Sequence, residues 1–147
     1  MARMNFPDTD TDTDTGPDAI TLFGIAHCDT VKKARAWLNA QGLPHHFHDV
    51  KKHGVPADAL QGWMEALGWQ ALVNRRGTTW RQLDAAAQAA VCDAASAAAL
   101  LVQHPSAVKR PVVEWRRQGQ LQHTSVGFDS TQWQQQTAHL SSGSELI

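Results

Sequence analysis

Residues 20–25 (Ile-Thr-Leu-Phe-Gly-Ile) form a short apolar run with β-branched members, the pattern of a buried strand. After His27, Cys28 and Asp29 the period changes. Val31, Ala34 and Leu38 recur at i, i+3 and i+7 while Lys32, Lys33 and Arg35 fall on the opposite side, which predicts a helix over 29–41. Asp29 or Thr30 suits its N-cap, and Gly42 followed by Pro44 its stop. Residues 45–50 (His-His-Phe-His-Asp-Val) predict a second strand, with His46 and His48 on one face and His45 on the other. A strand-helix-strand unit of this kind implies parallel pairing.

The pattern is helical over 56–104. Pro56 opens a helix with Leu60, Trp63, Met64 and Leu67 on one stripe, and Gly68 closes it. Residues 70–74 suggest a short helix, 75–83 read as irregular around Gly77, and 84–91 and 93–103 are alanine-rich helices, the second capped by Asp93 and stopped by Pro105. Strand patterns return at 111–115 and 121–126 on either side of a turn at Gly119. A last helix over 131–139 has Asp129 as N-cap and Gln132 placed for a capping box, and 141–147 read as frayed. This order, β-α-β, helices, β-β-α, predicts an α/β thioredoxin-like fold over 20–140. Its mixed sheet pairs 112–115 beside 20–23, and the inserted all-helical subdomain, about 56–104, is a separate lobe.

Composition changes this picture little. With 147 residues, 42% hydrophobic and 18% charged, the chain suits one domain with its own core. Its longest apolar run, near 97–102, falls far short of the roughly 20 residues of a membrane span, and the N-terminus lacks the basic-then-apolar order of a secretory signal. A cytoplasmic location and no membrane partner are therefore expected. The net charge of −1 conceals an asymmetry: residues 1–19 carry Asp8, Asp10, Asp12, Asp14 and Asp18 against Arg3, leaving the remainder at +3. The Asp-Thr repeat over 8–15 is too polar to pack, so 1–19 read as a disordered acidic tail. A basic excess of three is too small to indicate direct nucleic-acid binding.

Two cysteines, Cys28 and Cys92, cannot build a disulfide scaffold, which fits a reducing compartment. Cys28 stands just before the first predicted helix, where its sulfur can approach the unpaired N–H groups of the first turn. The helix dipole and Lys32 add positive potential, and both favour thiolate, the nucleophilic form. A small apolar residue ending a buried strand is the other reading of the same position. Cys28-Asp29-Thr30-Val31 is not Cys-x-x-Cys, so no resolving thiol lies one turn away. Cys92 reads as a buried small hydrophobe. His45, His46, His48 and His53 offer imidazoles without a second ligand pair at a recognisable spacing, so a solvated strand end and no metal are expected. Trp37, Trp63 and Trp69 fall on apolar stripes and are assigned to the core. Trp80, among Arg76, Thr78, Thr79 and Arg81, suits either the core or a cleft wall.

Four blocks in order resemble the arsenate reductase (ArsC-like) family, and more closely its Spx/YffB branch. They are Gly24-Ile25-x-x-Cys28-Asp29-Thr30-Val31-Lys32-Lys33-Ala34-Arg35, Leu67-Gly68-Trp69-x-x-Leu72-Val73-Asn74-Arg75-x-Gly77-Thr78-Thr79-Trp80-Arg81, Asp93-Ala94-Ala95, and His104-Pro105 through Lys109-Arg110-Pro111. The resemblance spans about 20–128 and implies a thioredoxin-like fold with a helical insert and a redox-active Cys28. It also implies that Arg110, directly before Pro111, faces the cysteine and holds an oxyanion, as a guanidinium fork can, and that Pro111 is cis. The family's second arginine, from the insert, falls on Asn74 with Arg75 beside it. Its third has no counterpart in 119–128.

The expected function is therefore a glutathione-dependent thiol–disulfide oxidoreductase with the single nucleophile Cys28. Arg110, Arg75, Pro111, Asn74 and Thr78 are assigned to substrate or glutathione, which acts as co-substrate with no bound cofactor. Glutaredoxin is a further candidate partner. Arsenate reduction of the glutathione and glutaredoxin type is one alternative. An Spx-like, non-enzymatic regulator binding RNA polymerase is the other, disfavoured because such members carry Cys-x-x-Cys.

Overall fold

The computed structural model describes residues 20–117 and 120–145. The acidic 1–19 segment, the turn at Gly119, and Leu146 and Ile147 at the C-terminal end lie outside these residues. Strand β1 (Ile20–Gly24) leads into helix α1 (Asp29–Ala40) and strand β2 (His45–Asp49). Five short or medium helices follow the single turn α2 (Val50–His53): α3 (Ala57–Leu67), α4 (Trp69–Leu72), α5 (Thr78–Arg81), α6 (Ala85–Ala89) and α7 (Ala94–Gln103). Strands β3 (Val112–Arg117) and β4 (Gln120–Val126) and helix α8 (Ser130–Glu145) complete the fold.

The sheet order is β2-β1-β3-β4. β1 runs parallel to β2 and antiparallel to β3, which is antiparallel to β4. The expected pairing beside β1 is present, with Leu22 opposite Val113 and Phe23 opposite Val112. Because strand side chains alternate between faces, Ile20, Leu22, Val113 and Trp115 pack with Val31, Ala34, Leu38 and Trp133 on the side of α1 and α8. Phe23 and Val112 face the other way, into Leu60, Trp63, Leu72 and Leu101 of the insert.

The insert is thus not a separate lobe; it shares a core with one sheet face. Trp63 Nε1 also donates to buried Glu114 Oε2 of β3 at 2.9 Å, and Arg116 Nη2 donates to Glu114 Oε1 at 2.9 Å. Residues 72–74 lie antiparallel to 107–109: Val73 bridges Val108, Lys109 N–H donates to Leu72 O and Asn74 N–H to Ala107 O, both at 2.8 Å.

Four local readings are corrected. The N-cap of α1 is Cys28, not Asp29 or Thr30: its backbone is extended while its carbonyl already accepts the Lys32 N–H at 2.9 Å. The 75–83 stretch contains the one-turn helix α5. α8 continues past residue 139 to Glu145, through a polar run with no proline to interrupt the ladder. Trp37 and Trp69 are half-buried; the fully buried tryptophans are Trp63, Trp115 and Trp133.

Candidate active site

β1 ends at Gly24, where the chain turns through Ile25, Ala26 and His27 into α1. Cys28 N–H donates to Ile25 O at 3.1 Å, closing the turn. Gly24 is needed for this approach: a Cβ there would stand 2.7 Å from Val31 Cγ2. Val31 is the third residue of α1, so its seating on β1 fixes the first helical turn.

Cys28 stands at the N-cap of α1, where a capping oxygen is usual. The Val31 and Thr30 N–H groups and the Arg110 guanidinium lie around it and favour its charged form, although the sulfur makes no side-chain capping hydrogen bond. Partial burial pushes the thiol up, but these donors and the Arg110 charge outweigh it and hold Cys28 below the ordinary thiol range. Lys32, expected to assist, is an exposed residue of α1, and the charge acting on sulfur is Arg110's. The sulfur is half-buried, flanked by exposed Ala26, His27, Asp29 and Thr30.

Arg110 precedes Pro111 through a cis peptide bond. Its Nη1 donates to Ser106 O at 2.6 Å and Val108 O at 3.0 Å, folding the side chain back along 106–108. Two carbonyls thereby fix the guanidinium that meets the sulfur. Buried Pro111 accepts the Gly127 N–H at 2.8 Å, tying the end of β4 to the same place. Cys28, Arg110 and Pro111 are therefore brought together.

The insert residues are not gathered with them in the same way. Exposed Arg75 lies over Trp69 and Trp80, 5.9 and 5.5 Å from the ring centroids. Asn74 organises its own loop: its Oδ1 accepts the Arg76 N–H at 3.2 Å, and its Nδ2 lies 2.8 Å from where a Gly77 Cβ would be. Thr78 is an exposed first residue of α5. Cys92, expected to be buried, is exposed between α6 and α7, its N–H donating to Ser96 Oγ at 2.9 Å; both cysteines are free. His45 accepts from Arg35 Nε at 3.4 Å, and His48 Nε2 lies 2.9 Å from Gly54 O, so these imidazoles serve local packing.

A sequence model of the ArsC family matches residues 23–136, most of the chain. The chain belongs to the ArsC family. An uncharacterized protein of Haemophilus influenzae is 39% identical over 94 residues, covering 64% of this ArsC-family chain and 82% of the relative. Among solved structures, the YFFB (PA3664) protein is 41% identical with a TM-score of 0.69, covering 78% of this chain and 96% of that one. An arsenate reductase (ArsC) related protein from Brucella melitensis is 42% identical with a TM-score of 0.61, covering 82% and 95%. The α/β thioredoxin-like architecture is shared with these neighbours. An ArsC-family role as a thiol oxidoreductase of arsenate-reductase-like type is supported at this level.

One residue of this ArsC-family site escaped the sequence reading. Buried Asp49, at the end of β2, accepts the Ala26 N–H on Oδ2 at 3.3 Å. The only sequence-level sign was an aspartate preceding a short helical turn, which is also how any N-cap looks.

Proposed function

We propose that the protein is a glutathione-dependent thiol–disulfide oxidoreductase acting through Cys28. The observation that carries this reading is the convergence of two helix N–H groups and a doubly anchored guanidinium on one half-exposed sulfur. Cys28 thiolate attacks a disulfide, forms a new S–S bond and expels one sulfur as a thiolate. A glutathione thiolate then attacks the Cys28 mixed disulfide, restores the Cys28 thiolate and departs as the oxidised product, so electrons balance. External glutathione fits because Cys28 has no partner at Cys-x-x-Cys spacing. Glutaredoxin is a suitable second reductant, and the setting is a reducing cytoplasm. Arg110, Pro111 and the 74–78 loop with Asn74, Arg75 and Thr78 are assigned to the tripeptide.

Arsenate reduction is the second reading, favoured by the likeness to the arsenate reductase (ArsC) related protein of Brucella melitensis. A tetrahedral dianion needs several charge-assisted bonds, each worth roughly 1.5–3 kcal/mol. Here the family's third arginine has no counterpart in 119–128, which weakens that reading.

Mass spectrometry after incubation with oxidised glutathione tests the proposal. One adduct is expected, on Cys28, reversed by reduced glutathione and absent from Cys28→Ser. An adduct on Cys92 alone, or none, overturns it. Robust arsenate turnover with glutathione and glutaredoxin promotes the second reading.

A further inference from the structure

Asp49 caps α2 in an economical way: Oδ1 alone accepts both the Lys51 and Lys52 N–H groups, at 2.9 and 3.0 Å. Serine, threonine or asparagine could do as much. What those residues cannot do is offer a second acceptor oxygen in the opposite direction. Asp49 Oδ2 does so, across the β1–β2 pairing of Gly24 with Asp49, to the N–H of Ala26. The carboxylate is 8% exposed and takes N–H donors on both oxygens, so its charge is compensated where it lies. Ala26 is the middle of the turn that carries Cys28, a turn closed by the Cys28 N–H to Ile25 O bond.

We infer that Asp49 is a positioning residue for the Cys28 nucleophile, its Oδ2 holding the Ala26 N–H so that the turn presents the sulfur to the first N–H groups of α1 and to Arg110. Asp49 touches no reacting atom; it acts through the Ile25–Cys28 backbone. The inference rests on Cys28 being the reactive thiol of the proposed function.

Two variants in a Cys92→Ser background test it. Asp49→Asn retains one acceptor oxygen, enough for α2 or for Ala26 but not for both. Asp49→Ser keeps a capping hydroxyl too short to reach Ala26. The readouts are the pH midpoint of Cys28 thiolate absorbance, its iodoacetamide alkylation rate, and Tm. Both variants should raise the Cys28 midpoint by about half to one unit, slowing alkylation below that midpoint roughly three- to tenfold. A purely structural cap would lower Tm and leave the midpoint in place, which overturns the inference. A purely electrostatic carboxylate would oppose the thiolate, so its removal would lower the midpoint, and that result overturns it as well. Because the thiol itself is read, a protein that titrates as stated but ignores glutathione refutes the proposed function alone.

Discussion

Replacing Arg110 with alanine removes the one cation that acts on Cys28 among the described residues. In the intact site, partial burial favours the neutral thiol, and the Val31 and Thr30 N–H groups, the Arg110 hydrogen bond and the Arg110 charge oppose it. Arg110→Ala leaves burial against two backbone donors. A hydrogen bond to a charged group is worth roughly 1.5–3 kcal/mol when sheltered, and about half of that at a half-exposed sulfur. About 1.4 kcal/mol corresponds to one unit, so the Cys28 midpoint should rise by about half to one unit and thiolate below it should fall about three- to tenfold. Ser106 O and Val108 O also lose their donor, so urea unfolding should show a loss of about 1–2 kcal/mol. Arg110→Lys separates the two effects: an ammonium keeps the charge but lacks the planar fork that serves carbonyls and sulfur together. It should restore part of the midpoint and little of the anchoring. Alkylation against pH in a Cys92→Ser background measures the first quantity. An unchanged midpoint in Arg110→Ala would show that the helix N–H groups suffice and refute the reasoning.

Gly24→Ala forces a methyl to within 2.7 Å of Val31 Cγ2 and should cost about 1–3 kcal/mol in urea unfolding while raising the Cys28 midpoint, because Val31 carries a donor to sulfur. Trp63→Phe keeps most of the ring volume but leaves buried Glu114 Oε2 without its donor, and should lose about 1–3 kcal/mol by denaturant titration. His45 is held below 6.5 by burial first, then by the Arg35 charge. The unfolded chain therefore binds the extra proton as pH falls through that value. Stability present above it should decline on the acid side, less so in His45→Gln.

The fold was legible wherever the apolar period was unambiguous: Val31, Ala34 and Leu38 define α1, and the β-branched runs around Leu22 and Val113 define adjacent strands. Cys28 was legible too, as a thiol at a strand-to-helix turn, but its place as the cap itself was not. A sequence offers Asp29 and Thr30 as better capping oxygens and cannot show where the first helical carbonyl falls. Cys92 misled because an alanine-rich context usually buries a small residue; here the 90–93 connection stays on the surface. Arg75 was assigned because it stands beside the position of a family arginine, and the sequence did not show that its guanidinium lies over the rings of Trp69 and Trp80, five or six residues away. Asp49 stayed invisible because its partner Ala26 is a backbone N–H brought across by strand pairing.

Since Cys28 stands at the N-cap of α1, the state of its sulfur changes the charge that the helix end faces. A thiolate gives the first-turn N–H groups and Arg110 a charged acceptor; a sulfur in a mixed disulfide is neutral and gives them a poor one. The same donors that promote attack therefore favour departure, because a thiolate of lowered pKa is the better leaving group when a second thiol arrives. Under the proposed function, this arrangement favours the reduced protein and short-lived adducts at Cys28.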